Sequence, residues 1–136
     1  MQKPKIAVIG CGHWGKNLVR NFSEIGVLEY VCDSNFIHAK NIAKEYNIKA
    51  KSIQDILNSD VNGIVVSTPA EHHSEIAKAS LDAGKHVFVE KPISLKVSDA
   101  KKLCIIAEQQ NKILMVGHLL QYHTAFSKLK ELVQIG

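Results

Sequence analysis

Six residues near the start of the chain, Gly10-Cys11-Gly12-His13-Trp14-Gly15, restrict its fold more than any other feature of the sequence. They follow a short apolar run, Lys5 to Ile9. They lead into Trp14, Leu18, Phe22 and Ile25, which share one face at helical spacing. A buried strand, a tight glycine turn and an amphipathic helix, in that order, open a βαβ unit. Each glycine answers a separate demand. Gly10 allows the turn, Gly12 leaves the backbone open to a diphosphate, and Gly15 lets the helix pack closely on the strand. The first helical turn then offers unpaired N–H groups and the positive end of its dipole. Asp33 ends the second apolar run, eighteen residues beyond Gly15. An acid near that spacing accepts hydrogen bonds from an adenosine ribose diol. Its charge disfavours a 2′-phosphate, and Ser34-Asn35 bring no arginine to hold one, so NAD is expected over NADP. Taken singly, the glycines also suit a plain turn, and Asp33 a solvated or helix-capping acid. It is their combination that points to a dinucleotide.

Beyond the loop, strand and helix alternate almost without interruption. Val27 to Cys32 reads as a second strand. Ala39, Ile42, Ala43 and Tyr46 form the stripe of a second helix. A weak third strand is expected around Ile48 to Ala50. Ser52 and Asp55 then resemble a capping box opening a short helix through Leu57. Gly63 to Ser67 is continuously apolar, as a strand covered on both faces is. Glu71 to Ala83 is helical and stops at Gly84. His86 to Val89 is a fifth strand. Val97, Ala100, Leu103, Cys104 and Ala107 mark a helix, Ile113 to Val116 is a sixth strand, and Phe126, Leu129, Leu132 and Val133 mark a closing helix. Such alternation implies a doubly wound parallel sheet with helices on both faces and right-handed crossovers. The closing helix runs to Gly136 with an apolar face that either folds back on the sheet or awaits further chain.

Composition narrows the function classes. At 136 residues with 46% apolar and 22% charged residues, the chain suits one globular core. No apolar run approaches the roughly 20 residues of a membrane span. The Met1 to Lys5 start lacks a signal-peptide core, so no membrane partner and a cytoplasmic address are expected. The net charge of +4 comes from scattered lysines and one arginine, Arg20. Nucleic-acid binders cluster such charges and favour arginine, so no nucleic-acid partner is expected. The three cysteines, Cys11, Cys32 and Cys104, have no Cys-x-x-Cys spacing, which argues against disulfides and structural zinc. Cys32 and Cys104 read as small core residues. His72 and His73 are adjacent, His118 and His123 five apart, so neither pair shares a helix face and no metal site is expected.

Every other unusual polar cluster ends a strand: Ser67-Thr68-Pro69, Glu90-Lys91-Pro92 and Gly117-His118. The carboxyl edge of an open α/β sheet is where ligands bind. Ile6 to Gly15, Ser67-Thr-Pro-Ala-Glu-His-His73 and, most specifically, Gly84-Lys-His-Val-Phe-Val-Glu-Lys-Pro92 resemble the Gfo/Idh/MocA oxidoreductases. Trp14 to Phe22 and Gly117-His-Leu-Leu-Gln-Tyr-His123 resemble the branch that oxidises C3 of UDP-N-acetylglucosamine-type sugars for surface polysaccharides.

The resemblance implies a Rossmann domain over residues 1–120. Residues 121–136 would start the connection to a C-terminal α/β substrate domain that is absent here. It places Gly10, Gly12, His13, Trp14, Gly15, Asp33 and Ser34 around the adenosine diphosphate. Ser67, Thr68, Pro69, His73 and Gln121 would lie along the rest of the cofactor, with Glu90 facing the nicotinamide ribose. Lys91 would be catalytic, orienting the sugar hydroxyl and stabilising developing alkoxide charge while hydride passes to C4 of nicotinamide. The bond before Pro92 is often cis in this family. Gln121 and Thr124 stand where relatives often carry Arg and Pro. The family's histidine base and most sugar contacts lie in the second domain. The chain is therefore expected to bind NAD without turning over a sugar or sugar nucleotide alone, and homo-oligomers are expected of the full-length form. The alternative is a stand-alone, non-catalytic NAD-binding or sensor module. The Glu-Lys-Pro setting of Lys91 favours the enzyme; the missing domain favours the module.

Overall fold

The computed structural model describes residues 3–135. Met1, Gln2 and Gly136, on which the start read as lacking a signal-peptide core and the end of the closing helix partly fall, lie outside the described residues. The chain alternates β1 (Ile6–Ile9), α1 (Gly15–Glu24), β2 (Leu28–Cys32), α2 (Phe36–Glu45), β3 (Lys49–Ala50) and α3 (Ile53–Leu57). It continues through β4 (Gly63–Val66), α4 (His73–Asp82), β5 (His86–Val89), α5 (Val97–Gln109), β6 (Leu114–Val116) and α6 (Thr124–Ile135). Six strands form one sheet in the order β3-β2-β1-β4-β5-β6, and every pairing is parallel. This is the doubly wound Rossmann arrangement. The order reverses between β1 and β4, and a crevice opens there at the carboxyl ends of the strands.

Strand alternation builds the two halves of the core. Ala7 and Ile9, Tyr30 and Cys32, Ile64 and Val66, and Val87 and Val89 point to one face. There they meet Ile56 of α3, Ile76 and Leu81 of α4, and Leu103 and Ala107 of α5. Val8, Val31 and Val65 point to the other, against Val19 of α1 and Ile42 and Ala43 of α2. Each fully buried aliphatic side chain contributes on the order of 1.5–3 kcal/mol. The packing also fixes register, since a one-residue slip would move every one of these side chains to the opposite face of the sheet.

Local chemistry sets the helix ends. Asn35 caps α2, its side chain accepting from the His38 amide at 3.1 Å. The expected capping box at α3 is present, with the Asp55 amide donating to Ser52 Oγ at 3.1 Å. Gly26 and Gly84 follow α1 and α4 in the left-handed region, and Asn47 and Asn111 serve the same role after α2 and α5. The helix expected over Glu71 to Ala83 is divided: a 3₁₀ turn over Ala70–His72 precedes α4.

One expectation fails. Cys104 is exposed, not core. In α5 the inward stripe runs through Leu103 and Ala107, and Cys104 lies a hundred degrees further round the helix. Of the two alternatives for the closing helix, folding back on the sheet is not the one α6 adopts. It packs against a 3₁₀ turn over Leu119–Tyr122 and buries none of its described residues. Periodicity shows that a helix has an apolar face; it does not show what covers that face. Among the described residues no helix is long and apolar enough to cross a membrane.

Candidate cofactor-binding cleft

The glycine loop is fixed by backbone contacts. Gly10 adopts a φ of 96°, and a Cβ there would lie 2.6 Å from the backbone of Ser67 and Thr68. A Cβ on Gly15 would lie 2.0 Å from the Gly10 carbonyl oxygen. Neither position admits a side chain. Gly12 differs: nothing lies within 4 Å of its Cβ direction. The fold does not need that glycine, whereas a ligand approaching the backbone does. Ser67 Oγ donates to the Gly10 carbonyl at 2.7 Å and ties the loop to the end of β4. The amino end of α1 has no side-chain cap and no acid in its first turn. The Lys16 and Asn17 amides already donate to the Gly12 and Trp14 carbonyls at 3.1 and 2.9 Å, so the terminus offers an anion its dipole and the preceding amides of His13, Trp14 and Gly15.

Asp33 follows β2 beside this loop. One carboxylate oxygen accepts from the Cys11 amide at 2.8 Å, the other from the Asn35 amide at 2.9 Å. Ser34 Oγ lies 3.4 Å from the second oxygen. Burial, with the Asp33 charge adding to it, pushes the Cys11 thiol up to about 12. His38, whose imidazole Nε2 lies 2.9 Å from the Cys11 carbonyl, braces the loop from α2. Sequence reasoning missed this brace, which joins residues 27 positions apart. His13 is exposed.

The ends of β4, β5 and β6 enclose a cavity of about 990 Å³, lined by Trp14, Ser67, Thr68, His73, Glu90, Lys91 and Gln121 among others. The fold thus gathers half of the expected site residues around one space. Pro69 is exposed beside it. Gln121 reaches the wall, but its carbonyl oxygen accepts from Lys130 of α6 at 3.1 Å. His73 is 2% exposed. Its Nδ1 lies 2.7 Å from the Pro92 carbonyl and its Nε2 2.7 Å from that of Thr68, so one ring clamps the loops after β4 and β5. The Lys91–Pro92 bond is cis. The Thr68 hydroxyl is buried with no hydrogen-bond partner. An orphaned buried hydroxyl on the wall of a cleft suits a polar ligand placed against it.

Glu90 is 8% exposed. Its Oε1 accepts from the Trp14 indole at 2.7 Å and its Oε2 from the Lys91 amide at 3.3 Å. Gly117 abuts this carboxylate, and a Cβ there would come within 2.9 Å of it. Gly117, His118, Leu119, Leu120 and Phe126 of the cavity wall were absent from the expected site residues. Their sequence signals were the position of Gly117-His118 just past a strand end and the resemblance carried by Gly117 to His123.

Comparison with known proteins fits this geometry. Residues 4–118 match the family described as "Oxidoreductase family, NAD-binding Rossmann fold". UDP-N-acetylglucosamine 3-dehydrogenase of Acidithiobacillus ferrooxidans is 30% identical over 127 residues, 93% of this chain and 41% of that protein. Its solved structure superimposes with a TM-score of 0.90 at 29% identity, over 97% of this chain and 42% of the other. Inositol 2-dehydrogenase of Salmonella typhimurium is 30% identical over 141 residues, 97% of this chain and 42% of that one. GenD2 from gentamicin A biosynthesis, solved in complex with NAD, gives a TM-score of 0.90 at 26% identity, over 97% of this chain and 39% of that chain. The chain spans about two-fifths of the length of these relatives. By sequence match and by architecture, it belongs to the Gfo/Idh/MocA oxidoreductases as an NAD-binding Rossmann domain.

Proposed function

We propose that the chain is the cofactor-holding part of a dehydrogenase that oxidises a sugar or sugar-nucleotide hydroxyl. By likeness to the 3-dehydrogenase, the hydroxyl is that on C3 of a UDP-N-acetyl-hexosamine derivative. One observation carries the reading. The Asp33 carboxylate is fixed by the Cys11 amide beside an uncapped helix terminus, with the face of Gly12 open next to it. This is an anion site joined to a diol acceptor, which are the two needs of an adenosine diphosphate. The absence of arginine at the site supports NAD over NADP: Arg20 lies on the exposed side of α1, 3.8 Å from Glu24.

NAD supplies the hydride acceptor when bound. The protein's share is position and field. The backbone of the loop from Gly10 to Gly15, His13 and Trp14 included, holds the diphosphate, and Asp33 with Ser34 holds the adenosine ribose. Ser67, Thr68 and Pro69 border the middle of the cofactor. His73 keeps their loop in register with Glu90, which takes the second ribose. Lys91 reaches the sugar hydroxyl, where an ammonium favours the developing alkoxide. Gln121 borders the nicotinamide side. The proton-accepting base lies in a further domain, so this chain alone binds cofactor without turnover.

Thermal melting tests the cofactor choice. NAD is expected to raise the midpoint more than NADP at equal concentration, because only the latter sets a phosphate against Asp33. Equal shifts overturn the NAD preference. Reduced NAD formed by the isolated chain with UDP-N-acetylglucosamine overturns its inactivity.

A further inference from the structure

We infer that Trp14 is a positioning residue: its indole N–H, with the bare face of Gly117, holds the Glu90 carboxylate at the far end of the cleft. The inference rests on the reading of that cleft as a dinucleotide site and adds to it a part for Trp14 beyond the diphosphate loop.

The argument starts from Glu90. The residue is more than nine-tenths buried, yet among the described residues no lysine, arginine or histidine forms an ion pair with its carboxylate. A charge taken out of water needs donors. Its two protein donors are the Lys91 amide at 3.3 Å and the Trp14 indole at 2.7 Å, so the indole makes the shorter bond. Trp14 does not need Glu90 in return. At 44% exposure the residue is not confined to the core. The dependence therefore runs from Glu90 to Trp14. Gly117 completes the seat, since a Cβ would stand 2.9–3.1 Å from the carboxylate atoms and push them aside.

These three residues belong to the loop after β1, the end of β5 and the end of β6. Trp14 reaches past β4, which separates β1 from β5 in the sheet. The same loop that receives a diphosphate thus sets the group that meets the second ribose. An aromatic residue there does what a generic residue of the glycine loop does not.

Calorimetric titration of the full chain with NAD, and separately with ADP, tests this. ADP fills the loop but lacks the nicotinamide ribose. Trp14→Phe keeps a ring and removes the N–H; Gly117→Ala keeps the indole and crowds the carboxylate. Each is expected to weaken NAD about tenfold and to leave ADP within about twofold of wild type. In a Glu90→Ala background, Trp14→Phe is expected to cost no further NAD affinity. Equal weakening of both ligands assigns Trp14 to loop structure and overturns the inference, as do unchanged NAD affinity or independent losses that multiply. A wild-type chain that takes up neither ligand overturns the cofactor reading itself. Trp14 is the only tryptophan, so its emission gives a readout free of folding losses at position 14. Glu90→Ala, which removes the acceptor, is expected to shift the emission of the ligand-free chain, and an unshifted spectrum contradicts the bond.

Discussion

The Cys11 amide donates to the Asp33 carboxylate at 2.8 Å, joining the loop after β1 to the end of β2. That bond orients one carboxylate oxygen and leaves lone pairs on both for a ligand diol. Asp33→Asn keeps an acceptor for the amide but loses the charge. It is expected to weaken NAD about tenfold and NADP less, narrowing the preference between them. Titration of the variant with both cofactors checks this.

The three loop glycines are expected to separate into two kinds. Gly10→Ala sets a side chain 2.6 Å from backbone at a left-handed φ, and Gly15→Ala sets one 2.0 Å from a carbonyl oxygen. Each should cost more than about 2 kcal/mol and lower the melting midpoint sharply. Gly12→Ala meets nothing within 4 Å. It should melt with the wild type and lose NAD affinity, because only the ligand needs that space.

His73→Ala removes a buried ring and leaves the Thr68 and Pro92 carbonyls without their shared partner. A loss of about 3 kcal/mol in urea unfolding is expected. NAD affinity should fall with it, since the loops after β4 and β5 lose their common brace.

The cysteines should differ in reactivity. Cys11 is buried and its thiol is pushed up to about 12, and Cys32 is raised by burial and by Asp33. Cys104 is exposed. Alkylation near neutral pH should mark Cys104 alone, read by mass spectrometry. The raised Cys11 value also has a sign for stability. Its contribution is full below the ordinary thiol value of 9.0 and fades as pH rises toward about 12. Cys11→Ala should flatten that alkaline loss.

Much of this was legible in the sequence because the fold writes local signals. Ile64, Val65 and Val66 form a strand buried on both faces, and a run of β-branched residues announces that directly. The Ser52–Asp55 cap and the Gly10–Gly15 turn likewise span only a few residues. What escaped depends on distant partners. The seat Gly117 makes for Glu90 and the brace His38 gives the Cys11 carbonyl exist only once β5 lies beside β6 and α2 beside the loop. Cys104 failed for a subtler reason. Among apolar neighbours in α5, one step along the chain turns a side chain from core to solvent.

Titration calorimetry of the purified, folded chain with oxidised NAD tests the dinucleotide site most directly. One saturable site per chain is expected, weakened in both Gly12→Ala and Asp33→Asn. A folded chain that gives no heat up to millimolar NAD, or two variants that bind as the wild type does, would contradict it.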